Sequence, residues 1–367
     1  MKEFFLVCPI GLENYLLYEL QLKYGPFLED KRIKDVKIDI GGIALQTSLE
    51  IGLGLNQVMK TPSKILLRLK SQKCRDLPKL YNIIRKMDWK SIFKQNTIAF
   101  HATSSKSRLI NTKKMINTAA DAIKDYFEAN KLKVKELEES KDFPVQTIFL
   151  RLQNDDLNIS LDTSGELLHI RGDRSFRGHA SIRENIATLL LLSLIKNLKG
   201  KTIKTLLDPM CGTGTFLFEA QNFYKQNNRS FNFQYTKLLT ATLPDLKDKV
   251  QLFEKYYGQD IDNEIISKNK NLASQIQFKT IDLFNMTKID FPKERPVTII
   301  NPPYGKRVKI EGNKKKYFQN IIQTVKKEYN PSLLGIIIPI EQSQYIQADK
   351  RIKFSQNGFP VEFLIFS

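Results

Sequence analysis

Apolar residues recur along this chain at two alternating spacings, and the alternation lays out its elements. FFLVC at 4–8 is an apolar run of strand length. Leu12, Leu16 and Leu20, with Tyr15, then fall on one side of a helix that Pro9 opens, where a missing N–H does no harm. Val36, Ile38 and Ile40 alternate with polar residues, as a half-buried strand requires. Gly41-Gly42 turns the chain into IALQTS as a hairpin partner, and a helix follows over 48–59. KILLRL, TIAFHAT and QTIFLRL read as strands, and DLPKLYNIIRKM and TKKMINTAADAIKDYFEAN as helices. The second helix carries Met115, Ala119, Ile123 and Phe127 on one face. NKLKVKELEESKD at 130–142 is a helix end and a solvated loop. LNISLDTSGELLHI at 157–170 reads as a hairpin around Ser164-Gly165, and RGDRSFRGHAS links it to the helix IRENIATLLLLSLI.

Beyond residue 200 the rhythm becomes strand then helix, which predicts a parallel sheet. The strands are TLLDP, EKYYGQDID, FKTIDL, VTIINPPY and LGIIIPI. Helices FLFEAQNFYK, NEIISKNKNLAS and KKYFQNIIQTVKKEY alternate with them. IKFSQNGFPVEFLIFS then predicts two antiparallel strands joined at Asn357-Gly358, a strong hairpin signal. The fold class is α/β in both halves. No internal repeat or low-complexity tract interrupts it.

Charge adds a partner. Lys plus Arg is 58 against 39 Asp plus Glu, a formal +19 over 367 residues. An excess of this size favours polyanions, because neutralising phosphates releases condensed counterions. Basic residues cluster in KSRLINTKK at 106–114, RGDRSFRGHASIR at 171–183 and GKRVKIEGNKKK at 305–316. The expected RNA contacts are Lys106, Arg108, Lys113, Lys114, Arg174, Arg177, Lys306 and Arg307. Other classes recede. Cys8, Cys74 and Cys211 are far apart and odd in number, which argues against a disulfide framework. His101, His169 and His179 lack zinc-ligand spacing, so no metal is expected. No run of about 18 apolar residues predicts a membrane span. The start leads into a charged helix without a small-residue cleavage site, and a cytoplasmic protein is expected.

Two stretches carry chemistry. In DPMCGTGT at 208–215, a strand delivers Asp208 to its C-terminal end, where open α/β sheets bind ligands. Gly212 and Gly214 let the backbone turn tightly there. No Lys-Ser or Lys-Thr comes after it, so this is not a P-loop, and Leu217 leaves the dinucleotide fingerprint incomplete. Alone, the turn could be any strand-to-helix loop. The next two strands add Asp260, suited to ribose hydroxyls, and Asp282, suited to an adenine amino group. Asp262 is expected to cap a helix. In NPPY at 301–304, Pro302 and Pro303 stiffen the loop and remove N–H donors, leaving carbonyls facing the pocket. The Asn301 side-chain oxygen and the Pro302 carbonyl can accept both hydrogens of a base amine, and Tyr304 can stack on the base. Such a base must leave its stack, at a cost of roughly a few kcal/mol.

LVCPIGLENYLLYEL, SGELLHIRGDRSFRGHASIREN, DPMCGTGT and NPPYGKR together resemble the THUMP-containing RNA methyltransferases, closest to the RlmL-type ribosomal RNA guanine-N2 methyltransferases. The parallel sheet closed by a hairpin is similar to that of S-adenosylmethionine-dependent methyltransferases. The resemblance implies a ferredoxin-like subdomain over 1–60 and a THUMP domain over 61–163, with a start as early as 43. It implies a linker over 164–180 and a Rossmann-like methyltransferase domain over 181–367. It implies S-adenosylmethionine as cofactor, held by Asp208, Pro209, Met210, Cys211, Gly212, Thr213, Gly214 and Thr215 with Asp260, Ile261, Asp282, Leu283 and Asn301. Asn301, Pro302, Pro303 and Tyr304 would hold the target amine. Asp173 stands where an aromatic residue is expected and Ser181 where proline is usual. The implied activity is guanine-N2 methylation of 23S ribosomal RNA, without an obligate protein partner and without the second catalytic half of fused relatives. A tRNA guanine, adenine N6 of nucleic acid, and a non-catalytic assembly factor are the alternative readings.

Overall fold

A computed structural model describes residues 1–94, 98–131, 144–171, 182–198, 203–238, 251–286, 294–304, 314–356 and 358–367. Asp173, Arg174, Arg177, Ser181, Lys306 and Arg307, and nearly all of the charged run at 130–142, lie outside the described residues.

The first half builds one seven-stranded sheet in the order β2-β3-β1-β4-β7-β6-β5. Its strands are β1 (Lys2–Val7), β2 (Ile33–Asp39), β3 (Gly42–Thr47), β4 (Lys64–Lys73), β5 (Ile98–Ser105), β6 (Gln146–Gln153) and β7 (Asp156–Asp162). The helices between them are α1 (Glu13–Glu29), α2 (Leu49–Val58), α3 (Leu77–Arg85) and α4 (Thr112–Ala129). The period-2 pattern places Phe4 and Leu6, Ile43 and Leu45, Ile65 and Leu67, and Ile159 and Leu161 in one core with Leu12, Leu16, Leu20 and Phe127. Antiparallel pairing of β1 with β4, Phe4 opposite Leu67, joins the first sixty residues to the remaining strands of the sheet.

Three expectations for this half are corrected. Pro9 does not open α1. Its carbonyl accepts from the Leu12 N–H at 3.2 Å in a turn, and Glu13 starts the helix while its carboxylate receives the Gly11 and Gly41 N–H groups. The β2 alternation marks a strand but does not bury all three residues: the pairing with β3 shifts between Lys34 and Lys37, where Asp35 has φ 51°, so Val36 packs on the core while Ile38 and Ile40 are exposed. The hairpin lies one turn earlier than Ser164-Gly165. Asn154 and Asp155, at φ 52° and 63°, connect β6 to β7, and the chain leaves the sheet after Asp162. Two consecutive left-handed residues match the twist of paired strands, and Asn and Asp tolerate that region best after Gly.

The second half holds α5 (Glu184–Asn197), β8 (Thr205–Asp208), α6 (Thr215–Gln221), β9 (Lys255–Asp260), α7 (Asn263–Leu272), β10 (Ile276–Thr280) and β11 (Val297–Ile300). It continues with α8 (Lys314–Tyr329), β12 (Leu333–Pro339), α9 (Ile340–Ser343), β13 (Lys350–Gln356) and β14 (Phe359–Phe366). The sheet order is β10-β9-β8-β11-β12-β14-β13. Neighbours from β10 to β12 are parallel, while β14 runs antiparallel to both β12 and β13. Strand order reverses at β8, so a crevice forms beyond the C-terminal ends of β8 and β11.

The two halves meet across a buried polar junction. Lys23 of α1 donates to Glu19 at 2.6 Å and to the carbonyls of Val58 and Phe223, each at 2.8 Å. Glu19 also receives the Lys60 and Thr61 N–H groups and the Thr61 hydroxyl. Arg171 reaches Glu219 of α6 at 2.8 Å and the Lys60 carbonyl at 2.9 Å, and Lys60 Nζ donates to Asn227 Oδ1 at 2.7 Å. Every one of these side chains is buried, so each charge depends on its partners, and Lys23, Lys60 and Arg171 draw part of theirs from the other half.

Candidate methyltransferase site

β8 ends on Asp208, which is 2% exposed and accepts one hydrogen bond, from the Met210 N–H at 3.2 Å. Burial, with Asp260 nearby, pushes its carboxyl well above the usual carboxylate range, against the smaller opposing effect of the Met210 N–H. The turn after Asp208 is closed by backbone bonds, Cys211 N–H to the Gln259 carbonyl and Gly214 N–H to the Cys211 carbonyl, each at 2.8 Å. Gly212 and Gly214 take φ of 48° and 69°, the left-handed region that a side chain would strain. Gly214 caps α6, and a Cβ at Gly212 would meet nothing within 4 Å. The turn therefore opens onto free space.

Asp260, the last residue of β9, reaches into this turn. Its Oδ2 accepts from the Gly212 N–H at 2.8 Å and its Oδ1 from the Asp262 N–H at 3.0 Å. Asp262 caps α7 through the Glu264 and Ile265 N–H groups, as expected. Asp282 follows β10 and accepts from Phe284 N–H and Asn285 Nδ2. The three aspartates do not form a straight row. Asp208 pairs with Gly258, so Asp260 lies two residues further along, and Thr280 pairs with Asp260, so Asp282 lies two further again. Asp208 and Asp260 therefore share one side of the pleat, and Asp282 stands two residues beyond the end of β10. On the other flank, Asn301 comes directly after β11, and its Oδ1 is buried without a hydrogen-bond partner. Tyr304 is half-buried, and its hydroxyl donates to Gln356 Oε1 at 2.6 Å.

The chemistry of these residues fits S-adenosylmethionine. Asp208 and the open glycine turn suit an amino-acid group, and Asp260 keeps lone pairs for ribose hydroxyls. Ile261 is 68% exposed and Phe284 47% exposed beside Asp260 and Asp282, bare apolar surface of the kind an adenine ring covers. Leu283 is buried in the core with Leu207, Tyr257 and Ile300. Pro209, Met210, Cys211 and Thr213 are part of the turn and Thr215 opens α6, with Cys211 buried and its thiol pushed up by burial. Among the described residues no group of three or more His, Cys, Asp or Glu is arranged to hold a metal.

Two residues that sequence reasoning missed support the site. Asn269, fully buried on α7, donates to the Gly212 carbonyl at 2.8 Å and fixes the turn from behind. A buried Asn amid polar helix positions such as SKNKN gave no periodic signal. Gln356 was read as part of a hairpin strand. Of the expected RNA contacts, Lys106, Arg108, Lys113 and Lys114 are exposed on the β5–α4 connection and the first turn of α4. Arg75 joins them, since Asp155 holds both its Nε and the Arg108 N–H.

An open sheet with a glycine turn, acidic strand ends and NPPY defines the S-adenosylmethionine-dependent methyltransferase class. Residues 171–352 match the RMKL-like methyltransferase domain family, and residues 74–162 match the THUMP domain. The chain therefore carries a THUMP domain followed by an RMKL-like methyltransferase domain. It is 29% identical, over its whole length, to the ribosomal RNA large subunit methyltransferase K/L of Shewanella frigidimarina. It spans about half, 53%, of that relative's length. A possible methylase from Clostridium difficile aligns over 100% of this chain and 97% of its own, with a TM-score of 0.78 and 24% identity. SMU.472, whose structure was solved as that of a putative methyltransferase complexed with SAH, aligns over 100% of this chain and 97% of its own, with a TM-score of 0.73 and 20% identity. Among the described residues no helix is long and apolar enough to cross a membrane.

Proposed function

We propose that this chain methylates the exocyclic N2 amine of a guanine in large-subunit ribosomal RNA. The observation that carries the reading is Asn301 Oδ1, a buried acceptor with no partner directly after β11. A buried polar atom of this kind costs about 1–3 kcal/mol unless something donates to it. A base amine is such a donor. When bound, S-adenosylmethionine supplies an electrophilic methyl group. Asp208 and the glycine turn would hold its amino-acid part, Asp260 its ribose, and Asp282 with Ile261 and Phe284 its adenine. Asn301 and the Pro302 carbonyl would take the two amine hydrogens, turning the nitrogen lone pair towards the methyl carbon. The N–CH3 bond would form as the S–CH3 bond breaks, releasing S-adenosylhomocysteine, and the amine proton would pass to water, so no titrating base is required beforehand. The THUMP domain and the basic β5–α4 patch support RNA as the substrate, and the name of the relatives supports ribosomal RNA.

The test is methyl transfer from labelled S-adenosylmethionine to purified 23S ribosomal RNA, transfer RNA and duplex DNA, with the product nucleoside identified by mass spectrometry. N2-methylguanosine in 23S RNA is expected. Label in transfer RNA alone, or N6-methyladenine, would replace this reading with another substrate. The absence of transfer to all three would end it.

A further inference from the structure

Tyr304 is held from outside its own loop. Its hydroxyl bond goes to Gln356, the last residue of β13, although β12 and β14 both lie between β11 and β13 in the sheet. Gln356 is 6% exposed and is paired across the hairpin with Phe359, the first residue of β14. Directly paired residues project from the same face, so Phe359 shares the side of the sheet from which Gln356 meets Tyr304. Unlike Gln356, Phe359 is 54% exposed, an aromatic side chain that the fold leaves uncovered beside the tyrosine's anchor.

We propose that the β13–β14 hairpin is a wall of the base pocket. In it, Gln356 is a positioning residue for Tyr304, and Phe359 is an aromatic surface for a nucleobase of the substrate. This rests on the reading that NPPY holds a base. A stacking tyrosine must keep its ring plane fixed, and a single bond from the tip of the ring removes its swing. Burial pushes the Tyr304 phenol above its ordinary value, which keeps the hydroxyl protonated and therefore a donor. Gln356 accepts through its side-chain oxygen. Phe359 sits where β14 begins, so its ring can approach a base without moving the core of the sheet. Stacking suits any base, so Phe359 would add affinity and orientation while Asn301 reads the amine.

Single-turnover methyl transfer with the full chain tests this, using Tyr304→Phe, Gln356→Leu, the double variant and Phe359→Ala. Tyr304→Phe and Gln356→Leu should each slow transfer about three- to tenfold, the scale of one neutral hydrogen bond, with S-adenosylmethionine affinity unchanged by calorimetry. The double variant should be no slower than Tyr304→Phe, because both remove one bond. Gln356→Glu, which keeps an oxygen acceptor, should recover most of the rate. Phe359→Ala should raise KM for RNA roughly tenfold, the effect of one lost base stack. Wild-type rates in Gln356→Leu, or losses that multiply in the double variant, would overturn the positioning role. If Gln356→Leu does not fold, Tyr304→Phe and Phe359→Ala carry the test, and wild-type kinetics in both would overturn the proposal. Wild-type protein that transfers no methyl group would instead sink the functional reading beneath it.

Discussion

Asp208 and Asp260 stand at neighbouring strand ends but in different surroundings. Asp208 is sealed in with one N–H partner, so its charged form waits for a cation to arrive. Asp260 is half-exposed and already braces the glycine turn through Gly212. Asp260→Ala should therefore weaken S-adenosylmethionine by roughly ten- to a hundredfold, the loss of one charge-assisted hydrogen bond at about 1.5–3 kcal/mol. Asp260→Asn, which keeps one acceptor, should fall between the two, and unchanged affinities by calorimetry would remove Asp260 from the site. Asn301 has a different duty. Asn301→Ala should lower the single-turnover rate while cofactor and RNA affinities stay within about twofold, because the amine interaction tightens only as the methyl bond forms. A near-wild-type rate would mean that the amine is oriented by something else.

At the level of elements, close approach between strand and helix sets the site's platform. A Cβ at Gly258 of β9 would lie 2.6 Å from the Phe278 ring and 2.7 Å from Leu217 of α6. Gly258→Ala should then cost about 1–3 kcal/mol of overpacking, read as a lowered Tm. Cofactor binding should weaken with it, since Asp260 is two residues away; an unshifted Tm would mean that Phe278 and Leu217 have room to give. Much of this platform was legible in the sequence, because buried parallel strands are apolar runs that end in a polar residue at the ligand edge. DPMCGTGT, GQDID and NPPY each advertise such an end. The edges of the first sheet were not legible. A period of two shows that β2 is a strand but not whether anything covers it, and Ile38 lies bare. The β6–β7 turn was hidden because Asn-Asp-Asp carries no glycine, and Ser164-Gly165 offered a more familiar signal nearby. Asn269 and Gln356 act through contacts across the fold, 57 and 52 residues away in sequence, which no local pattern records.

The whole molecule is organised by its buried junction. Lys60 is 2% exposed, and burial, reinforced by Arg171, lowers its amine from 10.5 to about 7. Between those values the unfolded chain holds a proton that the folded protein has released, so stability should rise with pH across that window. Lys60→Met should remove most of that rise, as read from Tm against pH, and an identical slope in the variant would place the titration elsewhere. The same junction ties the basic THUMP surface to the methyltransferase sheet, so the two keep a fixed offset. It also sets a clock on biosynthesis. Lys23 receives its last acceptor, the Phe223 carbonyl, from 200 residues further along the chain. At ribosomal speeds of about 5–20 residues per second, that acceptor is translated roughly 10–40 s after the lysine. Until then Lys23 has Glu19 and the Val58 carbonyl but lacks its third acceptor, and α1 gains its full set of partners only when the second half has been made.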